Sequence, residues 1–257
     1  MQAGHKPLIA GGVVPGRRHE ARSDIEVFFV DLTQSHALLD AEERRTPRLS
    51  ADDHKRAESM SPDRERRRLW RDARIATRIV LERAGGVGLR NIDFAIAAGG
   101  RPGLGPGDPY FNVSHSGDVA LVAVSKEMPM GVDLEKKRTL TMSDDRRRRI
   151  IAAAERLAPQ PPLSADSAGD VLIAWVRLEA AAKARGTGIG QLLTEHGVIG
   201  GKREDGAQGS ARTLEIRNLA VPDDYVAAVA AARLPEKIAV HSFPTDNLLE
   251  FIAGASS

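Results

Sequence analysis

Apolar and acidic residues alternate strictly in Gly131-Val132-Asp133-Leu134-Glu135. A strand sends successive side chains to opposite faces, so this order predicts a strand from Met130 through Leu134. Val132 and Leu134 then turn to a core, and Asp133 and Glu135 share the other face. Two carboxylates on one face repel unless they are well solvated or a cation lies between them. A hard divalent ion such as Mg²⁺, with oxygen ligands and several waters, suits the pair. The D-x-E pattern is short and common, and alone it reads most simply as an exposed strand with two ordinary acids.

A helix is expected over 168–185, because Val171, Trp175, Leu178 and Ala182 recur at spacings of four, three and four. Glu179 and Lys183 are neighbours one turn apart at the edge of that stripe. Such a pair is usually a weak surface contact. The alternative is a third carboxylate for a cation, with a lysine beside it facing a phosphate. The pair alone does not decide between them. Gly186-Thr187-Gly188 ends the helix. Ser114-His115-Ser116-Gly117, read as a turn between two strands, offers hydroxyls, an imidazole and open backbone to an anion. A lone histidine in a turn is more often structural. A Ser-His nucleophilic pair is disfavoured, since adjacent strand residues point oppositely and no G-x-S-x-G elbow is present.

Around these segments the chain alternates irregularly. Residues 1–22, rich in Gly, Pro and Arg, read as a mobile tail. Strands are expected at 25–30, 92–97, 110–113, 119–124, 212–217, 225–231 and 238–242. Ser50 with Asp53 resembles a capping box opening a short helix. Ser61-Pro62 is expected to open a longer one that Gly85-Gly86 stops. A further helix is expected near 143–157, joined to the next through a flexible Pro159–Pro162 connection, and Gly200–Ser210 reads as a hairpin tip or loose loop. There is no regular β-α-β alternation, so the class is α+β.

Composition narrows the partners. The 257 residues contain no cysteine, which excludes disulfides, thiolate metal sites and a cysteine nucleophile and fits a cytoplasmic protein. No apolar run is long enough for a membrane span. The formal charge is only +2, so nothing in the whole chain calls for nucleic acid. Arginine runs at 64–74 and 146–149 are local; they read as solvated helix faces, or as sites for phosphate or an acidic partner.

Taken together, F-N-x-S-H-S at 111–116, G-V-D-x-E at 131–135 and W-x-x-x-E-A-x-x-K at 175–183 resemble the three signature motifs of the Sfp-type 4′-phosphopantetheinyl transferases, in the same order. Gly99-Gly100-Arg101-Pro102 resembles that superfamily's G-K-P loop, and the segment from Leu219 to Ala228 its C-terminal strand entry. The resemblance covers roughly residues 45–235. Arg101 departs from the usual lysine and Leu178 from another.

The resemblance implies a monomeric pseudo-dimer of two similar α+β subdomains, at 23–127 and 128–257, with coenzyme A between them. It implies transfer of the 4′-phosphopantetheine arm to a serine of an apo acyl or peptidyl carrier protein, with release of 3′,5′-ADP. Asp133, Glu135 and Glu179 would hold Mg²⁺. Glu179, or a metal-bound water, would take the serine proton. Lys183 and His115 would contact the diphosphate, with Ser114 beside them. Arg101 and Arg67 or Arg68 would grip the ribose 3′-phosphate. A non-catalytic CoA-binding relative and a basic nucleic-acid-binding protein are the alternatives.

Overall fold

The computed structural model describes residues 25–60, 62–97, 100–158, 161–200 and 214–254. The tail at 1–22, Gly99 and the 201–210 loop lie outside them. The first strand, β1 (Ile25–Asp31), ends on a residue whose carboxylate accepts from Thr33 N and Gln34 N and so caps α1 (Leu32–Arg45). No apolar stripe announces α1, because the face it buries carries Ser35, Glu42 and Glu43 beside Leu32 and Leu39. The expected capping box opens α2 (Ala51–Ser59). The long helix α3 (Arg64–Gly85) starts later than Ser61-Pro62 predicts. Asp63 is its cap, with a carboxylate that accepts from Glu65 N and Arg66 N and complements the helix dipole. Gly86, at φ +90, stops it as expected.

The strand expected at 92–97 shrinks to β2 (Ala95–Ile96), paired with β3 (Pro102–Gly103). A tight hairpin follows, β4 (Tyr110–Ser116) and β5 (Val119–Ser125), turning on Gly117-Asp118. His115 and Ser116 therefore belong to a strand, a correction to their placement in a turn. Then come β6 (Met130–Lys136), α4 (Asp144–Leu157), α5 (Ala168–Arg185), α6 (Ile189–Glu195), β7 (Glu215–Leu219), β8 (Tyr225–Ala231), β9 (Val240–Ser242) and α7 (Leu248–Ala253). The link between α4 and α5 is anchored at its described ends. The buried Arg177 guanidinium donates to the carbonyls of Ala158 and Pro161. The class is α+β.

One sheet has the order β4-β5-β1-β9 and a second the order β6-β8-β7. They lie face to face, with Val27, Leu121 and Ala123 of the first against Val132, Leu134 and Val229 of the second. The outer face of the first sheet packs on α3 and α7 through Phe28, Val122, Ile79 and Leu248. The outer face of the second packs on α5 through Ala228, Ala230, Val176 and Ala180. Behind α5, Ile150 of α4 and Leu192 of α6 meet Leu178. Each fully buried Val, Leu or Ile contributes on the order of 1.5–3 kcal/mol. The last strand, β9, pairs with β1, so the chain's final segment completes the first sheet and crosses a division at 127/128.

The order β1-α3-β4-β5 builds a β4-β5-β1 sheet, and the order β6-α5-β7-β8 builds β7-β8-β6 in the same antiparallel sense. Among the described residues no helix is long and apolar enough to cross a membrane.

Candidate active site

The site forms where the edge of β6 meets β4 and α5. On β6, Val132 and Leu134 enter the inter-sheet core, while Gly131, Asp133 and Glu135 turn to α5. Gly131 sets how closely that helix approaches. A methyl group there would lie within 3 Å of Ala180 O, Ala184 N and Lys183 Cβ. Only glycine lets the helix backbone rest on the strand, and this contact brings the Glu179–Lys183 side of α5 over Asp133.

Lys183 Nζ donates to Asp133 Oδ1 at 2.7 Å, Ser114 Oγ at 3.0 Å and Val132 O at 3.1 Å. Ser114 Oγ donates to Asp133 Oδ1 at 2.8 Å and accepts from Leu134 N at 3.2 Å. Its one proton and both lone pairs are thus in use. The expectation that Ser114 lies beside an anion is modified, because the hydroxyl is buried and ties the strand, the carboxylate and the ammonium together. Asp133 is also buried, and among the described residues its Oδ2 has no hydrogen-bond partner. Glu135 is half-buried, 3.4 Å from both Ser116 Oγ and Arg138 Nη2.

Glu179 makes no hydrogen bond among the described residues. Burial, and then the charges of Asp133 and Glu135, push its carboxyl up to about 6, while Lys183 opposes them. The three carboxylates expected from sequence are therefore brought within one electrostatic neighbourhood. Among the described residues they do not form a closed three-ligand cage, and the Lys183 ammonium occupies Asp133 Oδ1. An unpartnered buried carboxylate oxygen, next to a carboxyl whose charge is costly, is nevertheless a fit for a cation that takes its remaining ligands from water and a bound phosphate.

On the opposite face of β4, exposed His115 borders a cavity of about 150 Å³ with Trp70, Arg74, Thr77 and Pro102. Crowding around the ring, and then the charges of Lys183 and Arg66, hold its pKa below the ordinary histidine value, with Asp133 opposing. The ring is therefore neutral at pH 7 and carries one N–H to donate. Two further hollows, of about 320 and 560 Å³, share Pro102 with this one. Lys55, Arg56 and Arg74 line the smaller, and the Arg74 guanidinium lies 4.9 Å from the Phe94 ring centre.

The arginines fall differently from expectation. Arg101 donates to Met130 O at 3.1 Å and Lys183 O at 3.4 Å, clamping the start of β6 to α5 instead of facing outward. Arg68 is turned away to Glu65 and Asp72. Arg67 is half-buried and has no ion pair among the described residues. Arg66, a member of the 64–74 run with no individual role assigned from sequence, is the α3 arginine felt by His115. Its signal was available, since it lies one turn before Trp70 on the helix face that meets β4. No protein-family model matches the chain, and no curated protein matches it.

Proposed function

We propose that the protein is a Mg²⁺-dependent 4′-phosphopantetheinyl transferase acting on coenzyme A and an apo carrier protein, built as a pseudo-dimer with one active site. The observation that carries this reading is the meeting of Ser114, Asp133, Glu179 and Lys183. They come from β4, β6 and α5, and among the described residues they leave Asp133 Oδ2 without a hydrogen-bond partner. The motif resemblance and the matching topology of the halves support it. So does the second half's carboxylate set, replaced in the first half by Phe28, Val30 and Ile79 when the seven-residue strands β1 and β6 and the helix caps Gly86 and Gly186 are aligned.

In this reading the carrier serine oxygen attacks the phosphorus nearest pantetheine. The anhydride bond to the adenosine side breaks, and 3′,5′-ADP leaves with the bonding electrons. Asp133, Glu135 and Glu179 would hold Mg²⁺, which when bound neutralises diphosphate charge. Glu179, or a water on the metal, would accept the serine proton. Lys183 swings from Asp133 to the diphosphate and stabilises the leaving group. Neutral His115 donates its N–H to a phosphate oxygen. Lys55, Arg56, Arg66 and Arg67 are the cations available to the ribose 3′-phosphate, while Arg101 holds the frame.

The nucleic-acid alternative is weakened because Arg68, Arg71, Arg74 and Arg78 are already paired with Glu65, Asp72, Asp40 and Asp53. The test is release of 3′,5′-ADP from CoA, followed by chromatography. It should require the apo carrier and stop in excess EDTA. CoA binding with no release under any carrier would favour the non-catalytic relative and overturn the proposal.

A further inference from the structure

We infer that Asn112, Ser114 and Ser116 form a row of side-chain acceptors that replaces a missing strand along the free edge of β6, making Asn112 and Ser116 positioning residues for Asp133 and Glu135. Among the described residues, β6 pairs with β8 on one edge only. An edge strand leaves alternate N–H groups without a ladder partner, and buried ones must find acceptors elsewhere. Val132 N donates to Asn112 Oδ1 at 2.9 Å, Leu134 N to Ser114 Oγ at 3.2 Å and Lys136 N to Ser116 Oγ at 2.9 Å. Each step of two residues along β4 meets a step of two along β6, in the same direction.

β4 meets the β6 edge with side chains, not backbone, so all three acceptors are side-chain oxygens. A slip of β6 by one step would break all three bonds and carry Asp133 away from Ser114 and Lys183. Asn112 is buried, and its bond to Val132 N touches none of the charged groups. Ser116 reaches Lys136 N and, at 3.4 Å, Glu135.

The catalytic consequence rests on the transferase reading; the row itself does not. In Asn112→Leu, exchange of the Val132 amide should quicken about tenfold, the loss of one hydrogen bond. Acylation of Lys183 by an amine-reactive ester, read on its peptide, should also quicken. If transfer is observed, kcat should fall about ten- to a hundred-fold through misplacement, with KM for CoA moving far less. Ser116→Ala should free the Lys136 amide in the same way, and Ser116→Thr, which keeps the acceptor, should restore it. This half-buried position also serves if Asn112→Leu fails to fold. Unchanged amide exchange in the folded variants overturns the row. Freed amides with unchanged Lys183 labelling overturn the positioning role. Because exchange and labelling need no turnover, either failure is separable from failure of the transferase reading.

Discussion

Glu179 and Lys183 carry opposite costs in the resting site. Burying the Glu179 carboxylate beside Asp133 and Glu135 raises its pKa from the ordinary 4.5 to about 6. Between those values the folded chain binds more protons than the unfolded chain, so this group lowers stability as pH rises from about 4.5 to 6. Metal-free Glu179→Gln should therefore be more stable than the parent at pH 7, and the gain should vanish below about pH 4.5. Denaturant unfolding at the two pH values checks this; equal stability at pH 7 contradicts it. Lys183 does the reverse and neutralises Asp133 at 2.7 Å. It stands where a cation would stand, so Lys183→Met should bind Mn²⁺ more tightly than the parent when CoA is absent, while turnover falls. Titration followed by electron paramagnetic resonance reads that affinity directly. Weaker Mn²⁺ binding in the variant would show that the ammonium does not compete for the site.

At the scale of elements, the meeting of β6 and α5 depends on a single missing side chain. Gly131→Ala places a methyl group into the helix backbone at Ala180 and Ala184, contacts that cannot move without moving α5. The expected loss is about 1–3 kcal/mol, with kcat falling because Lys183 moves with the helix. An unchanged unfolding midpoint would refute the close approach. The strand and helix that meet here were legible in sequence from period two in 130–134 and the 171–182 stripe, although that stripe faces α4 and α6 while Val176 and Ala180 carry the contact with the sheet. α1 and α7 were not. The first buries carboxylates and a hydroxyl, and the second is six residues long and is placed by packing on α3. The start of α3 was misplaced because Ser61-Pro62 and Asp63 offer competing caps, and Asp63 supplies two hydrogen bonds. The roles of Asn112, Ser116 and Arg101 were hidden for another reason. Each bonds to backbone on a distant segment, and no spacing within its own segment records that.

At the scale of the molecule, two antiparallel sheets meet at one acidic seam. In the proposed pseudo-dimer, the buried Phe28, Val30 and Ile79 stand at the first half's counterpart of the acidic cluster. That reading gives one site per chain, and cation titration should then saturate at one equivalent. The seam also explains why β9 and α7 return to the first half, since β1 needs a neighbour on the edge away from β5. The central claim is that the cluster at this seam transfers phosphopantetheine. Its most direct test is the intact mass of an apo carrier protein after incubation with CoA, Mg²⁺ and either the parent or Asp133→Asn. The account predicts that the parent adds one phosphopantetheine to the carrier serine and that the variant, folded, adds almost none. An unmodified carrier with the parent, across acyl and peptidyl carriers, or equal modification by both proteins, would contradict it.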